Sequence, residues 1–494
     1  MTKVSAWRMA GALLLLCAAT AIAAQGQTFN LLASFDSTDG ASPLNVSLTQ
    51  GRDGTFYGTT AGGGAHGMGS VFKVTPEGNV TTIYSFCPAM PCPDGSAPYA
   101  GLLQASDGNF YGTTFEGGQG RNCGGGCGTV FRVTTAGVLT TLYKFCQQTN
   151  CADGGAPMSG LVQGVDGNMY GTTEFGGTSN ASAGTVFRVD TSGNLTTLHS
   201  FCLQQNCPDG DMPQANLILA TDGNFYGTTL VGGTGCDGGC GTIYKLTPEG
   251  QFTTLYRFND DGINGADPGA LIQASDQVFY GTTEGGGTHN GGTIFRITRG
   301  GTLTTLYSFC EEDFPCIDNP SGSSPVAGLI QATDGNLYGT TFFGGDLQCN
   351  GGYGCGTIFE LSTTGRLATL HQFDGSDGLD VSDGLLQATN GVLYGMAREG
   401  GRYSFGTVYS LDMGLGPFVT FVRAAGKVGQ TGGILGQGFT GTTSVSLNGI
   451  PASFTVVSDT FIKATVPAGA TTGYVTVTTP TGTLTSNVPF HVIP

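Results

Sequence analysis

Apolar, β-branched residues alternate with threonines and glycines in short segments along most of the chain, and the same order of segments returns seven times. One of these segments is the phrase Phe-Tyr-Gly-Thr-Thr or a close variant of it. Helical periodicity is missing, whereas short runs rich in β-branched and aromatic side chains, separated by Gly- and Asp-containing turns, indicate strands. The tyrosines of the phrase are separated by 54 to 59 residues and are Tyr57, Tyr111, Tyr170, Tyr226, Tyr280, Tyr338 and Tyr394.

A fixed period of this length predicts a repeat architecture, in which each unit buries its apolar faces against its neighbours. Residues 101–145 show one unit in full. A short strand A from Gly101 is followed by strand B (Phe110–Thr114), strand C (Gly128–Val133) and strand D (Leu139–Phe145). Four antiparallel strands per repeat are typical of a propeller blade.

The seventh copy stops after its strand C, and a strand-like segment, Phe29–Phe35, precedes the first strand A. We therefore predict an all-β fold in which residues 24–412 form a seven-bladed β-propeller closed by its N-terminal strand. In this topology the A–B and C–D turns share one face. The longer B–C and D–A loops, which differ between copies, share the other face, and varied loops on a rigid ring are the usual site of binding.

A different pattern begins at Gly416. Short alternating strands separated by Gly, Asn and Pro turns predict an immunoglobulin-like β-sandwich over residues 416–494. At the other end, residues 1–23 predict a signal peptide, with Lys3 and Arg8 before an apolar stretch and a small-residue cleavage site at Ala23. We thus expect a secreted, periplasmic or cell-surface bacterial protein.

The net charge of the chain disfavours two classes of partner. Without Lys3 and Arg8 the mature chain has 16 basic and 35 acidic residues, a net charge of −19. Such acidity opposes binding to nucleic acid and to anionic membranes, which require basic patches. No segment after residue 23 is apolar enough to span a bilayer. We expect an extracellular or cell-surface protein or glycan as the partner, with neither nucleic acid binding nor membrane insertion.

The mature chain has 14 cysteines in seven close pairs, and every pair falls in a B–C or D–A loop. In an exported protein this favours local disulfides. Disulfides between loops, or zinc bound by sets such as Cys87, Cys92, Cys123 and Cys127, are the alternatives. The predicted pairs are Cys87/Cys92, Cys123/Cys127, Cys146/Cys151, Cys202/Cys207, Cys236/Cys240, Cys310/Cys316 and Cys349/Cys355.

Candidate ligand-binding residues lie just after the Thr-Thr step, where strand B would meet the variable face near a central channel. The carboxylates there are Glu116, Glu174, Glu284 and Glu399. Two of them could act as acid and base on a glycan, or all four could be solvated rim acids. Phe343 could supply an aromatic contact. No catalytic residue or metal ligand is assigned, and no cofactor is expected, although Asp-Gly turns such as Asp94-Gly95 leave calcium open.

Two resemblances add to this interpretation. The signature Asp107-Gly-Asn-Phe-Tyr-Gly-Thr-Thr114, followed by Gly128-Thr-Val-Phe131, resembles the bacterial GloVer tandem repeats of "choice-of-anchor" proteins. The Gly-Gln-Gly-Phe439 step and Val466-Pro467 resemble the IPT/TIG family. The first resemblance implies an exported or surface protein without established catalytic residues, and the second implies a spacer or interaction module.

The sequence thus favours an exported, non-enzymatic binding or surface-interaction protein that presents disulfide-stiffened loops on one propeller face. A secreted enzyme that acts on polysaccharide through carboxylates of that face is the alternative. A purely structural envelope protein is the third hypothesis.

Overall fold

The computed structural model describes residues 26–493 apart from 45–46, 120–122, 124, 180, 234–235, 237, 260 and 311–320. The predicted signal peptide lies outside the described residues. The described part is almost entirely β-structure, with two single-turn 3₁₀ helices at Thr149–Cys151 and Asn350–Gly352. In this part no helix is both long and apolar enough to cross a membrane.

Seven four-stranded antiparallel sheets, numbered here in chain order, occupy residues 28–412 of the described chain. Each has a copy of the phrase as its strand B. In sheets 1 to 7, strand A spans Thr49–Gln50, Leu103–Gln104, Val162–Gln163, Ile218–Leu219, Ala266–Gln273, Ile330–Gln331 and Leu386–Gln387. Strand B spans Phe56–Thr60, Phe110–Thr114, Met169–Thr173, Phe225–Thr229, Phe279–Gly285, Leu337–Thr341 and Leu393–Ala397.

The outer half of each sheet consists of strands C and D. Strand C spans Ser70–Val74, Thr129–Val133, Thr185–Val189, Thr242–Leu246, Thr293–Ile297, Thr357–Leu361 and Thr407–Asp412. Strand D of sheets 1 to 6 spans Val80–Ser85, Leu139–Lys144, Leu195–Ser200, Phe252–Arg257, Leu303–Ser308 and Leu367–Gln372. In sheet 7 this position is taken by the N-terminal strand Thr28–Ser34, which pairs antiparallel with Thr407–Asp412.

Hydrogen bonds join each sheet to the next. The first threonine of the phrase donates to a carbonyl of the next sheet, in or just before its strand A. These bonds measure 2.8–3.1 Å and are Thr59–Ala100, Thr113–Ser159, Thr172–Pro213, Thr228–Gly269, Thr282–Ala327 and Thr340–Asp383. Between sheets 7 and 1, Thr389 N–H donates to Gln50 Oε1 and Gln50 Nε2 donates to Thr389 Oγ1, both at 3.0 Å. The series of sheets therefore closes into a β-propeller-like ring.

The tyrosine of the phrase is buried and bonded to the turn that precedes it. Tyr111 is 0% exposed, and its hydroxyl donates to Asp107 Oδ2 at 2.8 Å. Burial opposes the charge of Asp107, but hydrogen bonds from Asn109 and Tyr111 and the charge of Arg132 outweigh it and lower its pKa. The same bond recurs as Tyr57–Asp53, Tyr170–Asp166, Tyr226–Asp222, Tyr280–Asp276 and Tyr338–Asp334.

Phenylalanine and glycine of the phrase pack the sheets against one another. The Phe110 ring stacks on Tyr57 of the preceding sheet, with ring centroids 4.1 Å apart. A Cβ atom on Gly112 would lie only 2.6 Å from Phe131 Cζ, so glycine is required where strand B passes the strand C aromatic. The core is therefore distributed between the sheets, as expected of stacked repeats.

The C-terminal part forms separate sheets. One contains Thr420–Phe421, Thr431–Leu435, Phe461–Thr465 and Phe454–Ser458, and a second contains Ile450–Pro451, Ser444–Leu447, Val475–Thr479 and Gly482–Thr485. Ala425–Lys427 pairs in parallel with His491–Ile493. Buried residues of both four-stranded sheets, including Ile434, Val445, Ile462 and Val477, form a single core.

This C-terminal part contacts the turn face of the ring. Thr460 Oγ1 donates to the Arg52 carbonyl at 2.7 Å, and the Arg52 guanidinium carbon lies 4.8 Å from the Phe461 ring centroid. Gln437 Nε2 donates to Thr389 Oγ1 at 3.0 Å. Arg52 belongs to sheet 1 and Thr389 to sheet 7, so the C-terminal part bridges the two sheets that close the ring.

We predict that Thr113→Val destabilises the fold, because it leaves the Ser159 carbonyl without its buried donor. Such a loss typically costs about 1–3 kcal/mol. The same substitution at the exposed Thr81 of strand D is the control, with an expected change within about 0.5 kcal/mol. Urea unfolding measures both. Equal losses at the two positions would show that the inter-sheet bond contributes nothing beyond strand propensity.

Candidate functional site

The inner edge of each sheet ends in a cross-strand pair of residues. In six sheets the residue after strand B donates its N–H to a D–A loop residue, and these pairs are Ala61/Ser42, Phe115/Ala97, Glu174/Ala156, Leu230/Met212, Phe342/Ser324 and Arg398/Asp380. In sheet 5 the ladder continues, and its register places Glu284 opposite Asp267. The D–A loop residue has a positive φ of 51–58° in every pair. This shared backbone geometry points the variable side chains of the pairs toward one region.

That region is a cavity of about 560 Å³ at the centre of the ring. Strand A residues line it, together with Leu230, Phe342 and the pair Asp267/Glu284 from the ends of sheets 4, 6 and 5. Aliphatic and aromatic side chains form most of the wall, among them Met158, Leu230 and Phe342, while Asp267 and Glu284 add carboxylates. An apolar cavity with a few polar groups is the usual form of a small-molecule site. We therefore take this channel as the candidate functional site.

Asp267 and Glu284 form an uncompensated acidic pair. Directly opposed residues on an antiparallel pair have Cβ atoms about 4.5–5.5 Å apart. Burial raises the pKa of Asp267, and burial together with the charge of Asp267 raises that of Glu284. The Glu284 side chain is accessible, yet the channel wall excludes enough water to disfavour its charge. Within the described residues neither carboxylate forms a salt bridge.

Glu174 is more deeply placed than the sequence suggests. It is 8% exposed, Gln214 Nε2 donates to its Oε1 at 3.0 Å, and its Oε2 has no hydrogen-bond partner in the described residues. Burial, with a contribution from Asp211, raises the pKa of Glu174. Gln214 itself lines the cavity. Glu174 therefore lies behind Gln214 and holds that amide on the wall.

Glu116 and Glu399 are not among the residues that line this cavity, and as ligand-binding residues they stay predictions. Both lie one residue beyond the pair position, and successive residues of a strand point to opposite faces. Glu116 pairs with Ser96 through the backbone, and its carboxyl lies beside Gly125 of its own B–C loop. The Glu399 carboxylate lies 4.0 Å from Arg398 Nε. Of the predicted carboxylates, only Glu284 forms part of the wall.

Phe343 lines the cavity as well. Its ring is perpendicular to that of Phe342, with centroids 4.8 Å apart, and it lies 5.6 Å from the Tyr353 ring. The three rings form an aromatic cluster on sheet 6. As a ligand-binding residue Phe343 stays a prediction.

Cysteine pairs stiffen the loops around the channel. The disulfides among the described residues are Cys87–Cys92, Cys123–Cys127, Cys146–Cys151, Cys202–Cys207, Cys236–Cys240 and Cys349–Cys355. Cys316, the predicted partner of Cys310, lies outside the described residues. The sulfurs that cluster within 4.8 Å belong to Cys123, Cys127 and Cys146. The sulfurs of this B–C loop thus approach a sulfur of the following D–A loop, whereas the zinc alternative grouped them with Cys87 and Cys92 of the preceding loop. Disulfide sulfurs cannot act as thiolate ligands.

The D–A aspartates have structural partners. Asp153 accepts hydrogen bonds from the Tyr143 hydroxyl at 2.7 Å and from the Gln147 N–H at 2.9 Å. Asp94 accepts from Tyr84 at 2.6 Å in the same way. Calcium binding at these turns stays a prediction, but the aspartates already have a structural role, since they accept hydrogen bonds that close their loops.

Asp267 is the site residue that the sequence interpretation missed. It occupies the position before a recurring proline, where other copies have Ser42, Ala97, Ala156 or Met212. A carboxylate at a position that is otherwise small or apolar was the available signal. It becomes meaningful only once the D–A loop is known to pair with the residue after strand B.

Three matches to the Gloeobacter/Verrucomicrobia repeat profile span residues 18–152, 124–316 and 314–444. No curated protein matches the sequence. Among solved structures, the extracellular domain of a hybrid two-component system from B. thetaiotaomicron aligns with 95% of this chain at 12% identity and a TM-score of 0.49, and the chain spans 59% of its length.

A copper-bound fungal alcohol oxidase of the AA5 family aligns with 94% of this chain and 99% of its own, at 13% identity and a TM-score of 0.49. A gluconolactonase from Xanthomonas campestris aligns with 57% of this chain and 78% of its own, at 16% identity and a TM-score of 0.34. At these TM-scores the similarities carry no argument about activity.

We predict that Asp267→Asn stabilises the protein at pH 7. The pKa of Asp267 is raised in the folded state, so its ionised form destabilises that state above the raised pKa. The Tm should rise by about 1–3 °C. The gain should shrink as the pH falls through the raised pKa and vanish below the ordinary value of 3.8, where Asp267 is protonated in both states.

Asp107→Asn is the control of opposite sign. The pKa of Asp107 is lowered, so its charge stabilises the fold at pH 7 and this stability is lost as the pH falls through the lowered pKa. Thermal unfolding between pH 3 and pH 8 measures both variants. A lower Tm of Asp267→Asn at pH 7 would contradict the assignment of a strained acidic pair.

Proposed function

We propose that this chain, which belongs to the Gloeobacter/Verrucomicrobia repeat family, is an exported binding protein. It holds a small ligand in the central channel of a seven-bladed β-propeller. The seven sheets of the ring are its blades, and Thr28–Ser34 closes the last one. The observation that carries the proposal is the cavity of about 560 Å³, in which apolar walls surround two opposed carboxylates.

We propose that a ligand enters the channel from the loop face. On the turn face, residues of the C-terminal part line two further cavities of about 890 and 680 Å³ together with strand A residues of the ring. Arg423 Nη1 reaches the Val165 carbonyl at 3.3 Å, on the side of the ring away from Arg52. We propose that residues 416–494 are an Ig-like IPT/TIG module that covers this end of the channel.

Export is supported by the disulfides. Stable disulfides form in oxidising compartments and are rare in the cytosol. Their short rings restrict the B–C and D–A loops on the accessible face, which is where a ligand or a surface partner would approach. This arrangement supports a secreted or cell-surface location, and we propose a protein or glycan as the partner of the outer loops.

Hydrolysis of a glycan is the second candidate function, because Asp267 and Glu284 are opposed at a spacing compatible with a carboxylate pair. The covered turn face argues against a long polysaccharide threaded through the ring. An apolar wall also offers few hydrogen-bond partners to a sugar. Binding is therefore the function that this geometry supports better.

We predict that Leu230→Trp abolishes binding of small ligands, because the larger side chain fills the cavity. Leu203, which is 60% exposed on a D–A loop, provides the control, and Leu203→Trp should leave binding intact. Thermal shift against a chemically diverse small-molecule set identifies ligands of the mature chain, and calorimetry compares the variants. Ligands that bind both variants equally would place the site outside the channel.

A reducing-sugar assay on glycans distinguishes the second candidate function, hydrolysis, from binding. Turnover that Glu284→Gln abolishes would establish an enzyme. If the protein neither binds a ligand nor turns over a glycan, a structural role in the envelope is the remaining function.

A further inference from the structure

The acidic pair of sheet 5 is the exceptional member of the ring of cross-strand pairs. In sheets 2, 4 and 6 the residue after strand B is Phe115, Leu230 or Phe342. In sheet 7, Arg398 opposes Asp380 and offsets its charge. Only sheet 5 places one carboxylate directly opposite another among the described pairs. The negative charge at the channel wall is therefore concentrated on one blade.

The backbone register places the two carboxylates of sheet 5 opposite each other. Ala266 pairs with Gly285 and Pro268 pairs with Thr283, on either side of Asp267 and Glu284. Two like charges so placed repel each other and destabilise the sheet. A cationic group between them would remove that repulsion.

A second, independent observation points to a ligand in the same cavity. Ser382 is 5% exposed and lines the cavity from sheet 7, and its Oγ has no hydrogen-bond partner in the described residues. A buried hydroxyl without a partner is costly unless another group satisfies it. The wall thus carries both an uncompensated charge and an unsatisfied polar atom, on different blades.

We propose that this cavity binds an organic ammonium ion, with its nitrogen between Asp267 and Glu284 and its apolar body against Met158, Leu230 and Phe342. The inference rests on the proposed binding function and specifies its ligand class. The Oγ of Ser382 accepts or donates a hydrogen bond at a polar substituent of the ligand. The aromatic ring of Phe342 suits a cation with an apolar body.

The composition of the wall disfavours a metal ion. Calcium requires six to eight oxygen ligands, and magnesium a near-octahedral set. Among the described residues of the wall, Asp267 and Glu284 are the only carboxylates, and the other polar side chains, Ser47, Gln214, Asn216 and Ser382, come from other sheets. The pair alone does not supply such a set. An ammonium ion needs only hydrogen-bond acceptors on one side and apolar contacts on the other, which is the distribution that the cavity offers.

The test measures affinity by calorimetry at pH 7 with the mature chain. The probes are methylammonium, hexylammonium and 2-phenylethylammonium, each compared with its neutral alcohol, and calcium chloride. We expect at least one apolar ammonium ion to bind about tenfold or more tightly than its alcohol, because each carboxylate forms a charge-assisted hydrogen bond. Methylammonium, which lacks an apolar body, should bind weakest.

Isosteric variants test whether the two carboxylates cause the preference for ammonium over alcohol. Asp267→Asn with Glu284→Gln should abolish the preference for the cation. The matched control removes the same charge from two exposed carboxylates of the turn face, Glu77→Gln with Glu249→Gln, and should retain the preference. Circular dichroism and Tm verify that each double variant is folded.

Several outcomes would overturn the inference, and they differ from failure of the binding function. If each alcohol binds as tightly as its ammonium ion and Leu230→Trp abolishes both, the channel is a binding site that does not select for charge. Calcium binding lost in the Asp267→Asn/Glu284→Gln variant, without ammonium binding, would establish a metal site. Ammonium binding unchanged in that variant would place the cation elsewhere. No binding of any small molecule would overturn both proposals.

Discussion

Six of the seven seams of the described ring share one inter-sheet hydrogen bond, which the first threonine of the phrase donates to the next sheet. The Thr113 hydroxyl and the Ser159 carbonyl are both buried, and neither can exchange its partner for water. A second bond recurs at the turn face, where Gln104 of strand A accepts from the Arg52 N–H of the preceding sheet. Two bonds at different depths of the seam constrain both the distance and the rotation between neighbouring sheets.

Variation is confined to the positions that the inter-sheet contact leaves free. Phenylalanine, tyrosine and glycine of the phrase fill the space between sheets, and both threonines are bonded. The next residue is the first that neither packs between sheets nor pairs with strand C. It can therefore be Leu230 in one sheet and Glu284 in another without affecting the ring. Binding specificity arises where the structural phrase ends.

Much of the fold, but less of the site, could be predicted from the sequence. The period of the phrase and its strand-forming residues predicted the all-β class, and the resemblance of the Asp107–Thr114 signature implied the repeat family; both are confirmed. The site depends on which residue after the phrase faces the channel. Glu284 directly follows Thr283, whereas Glu116 is the second residue after Thr114, so the alternation of the strand separates the two carboxylates. The sequence interpretation treated both as equivalent, and it missed Asp267, whose role depends on its cross-strand pairing.

The departure of sheet 7 from the phrase explains where the C-terminal part attaches. Met396 and Ala397 replace both threonines, so sheet 7 lacks the hydroxyl that each other sheet offers its neighbour. The seam between sheets 7 and 1 keeps a second recurring bond, in which Gln50 of strand A accepts from the Thr389 N–H as Gln104 accepts from the Arg52 N–H between sheets 1 and 2. Thr389 also accepts from Gln437, and the Arg52 carbonyl accepts from Thr460. The C-terminal part thus adds contacts at the one seam of the described ring that lacks the threonine bond.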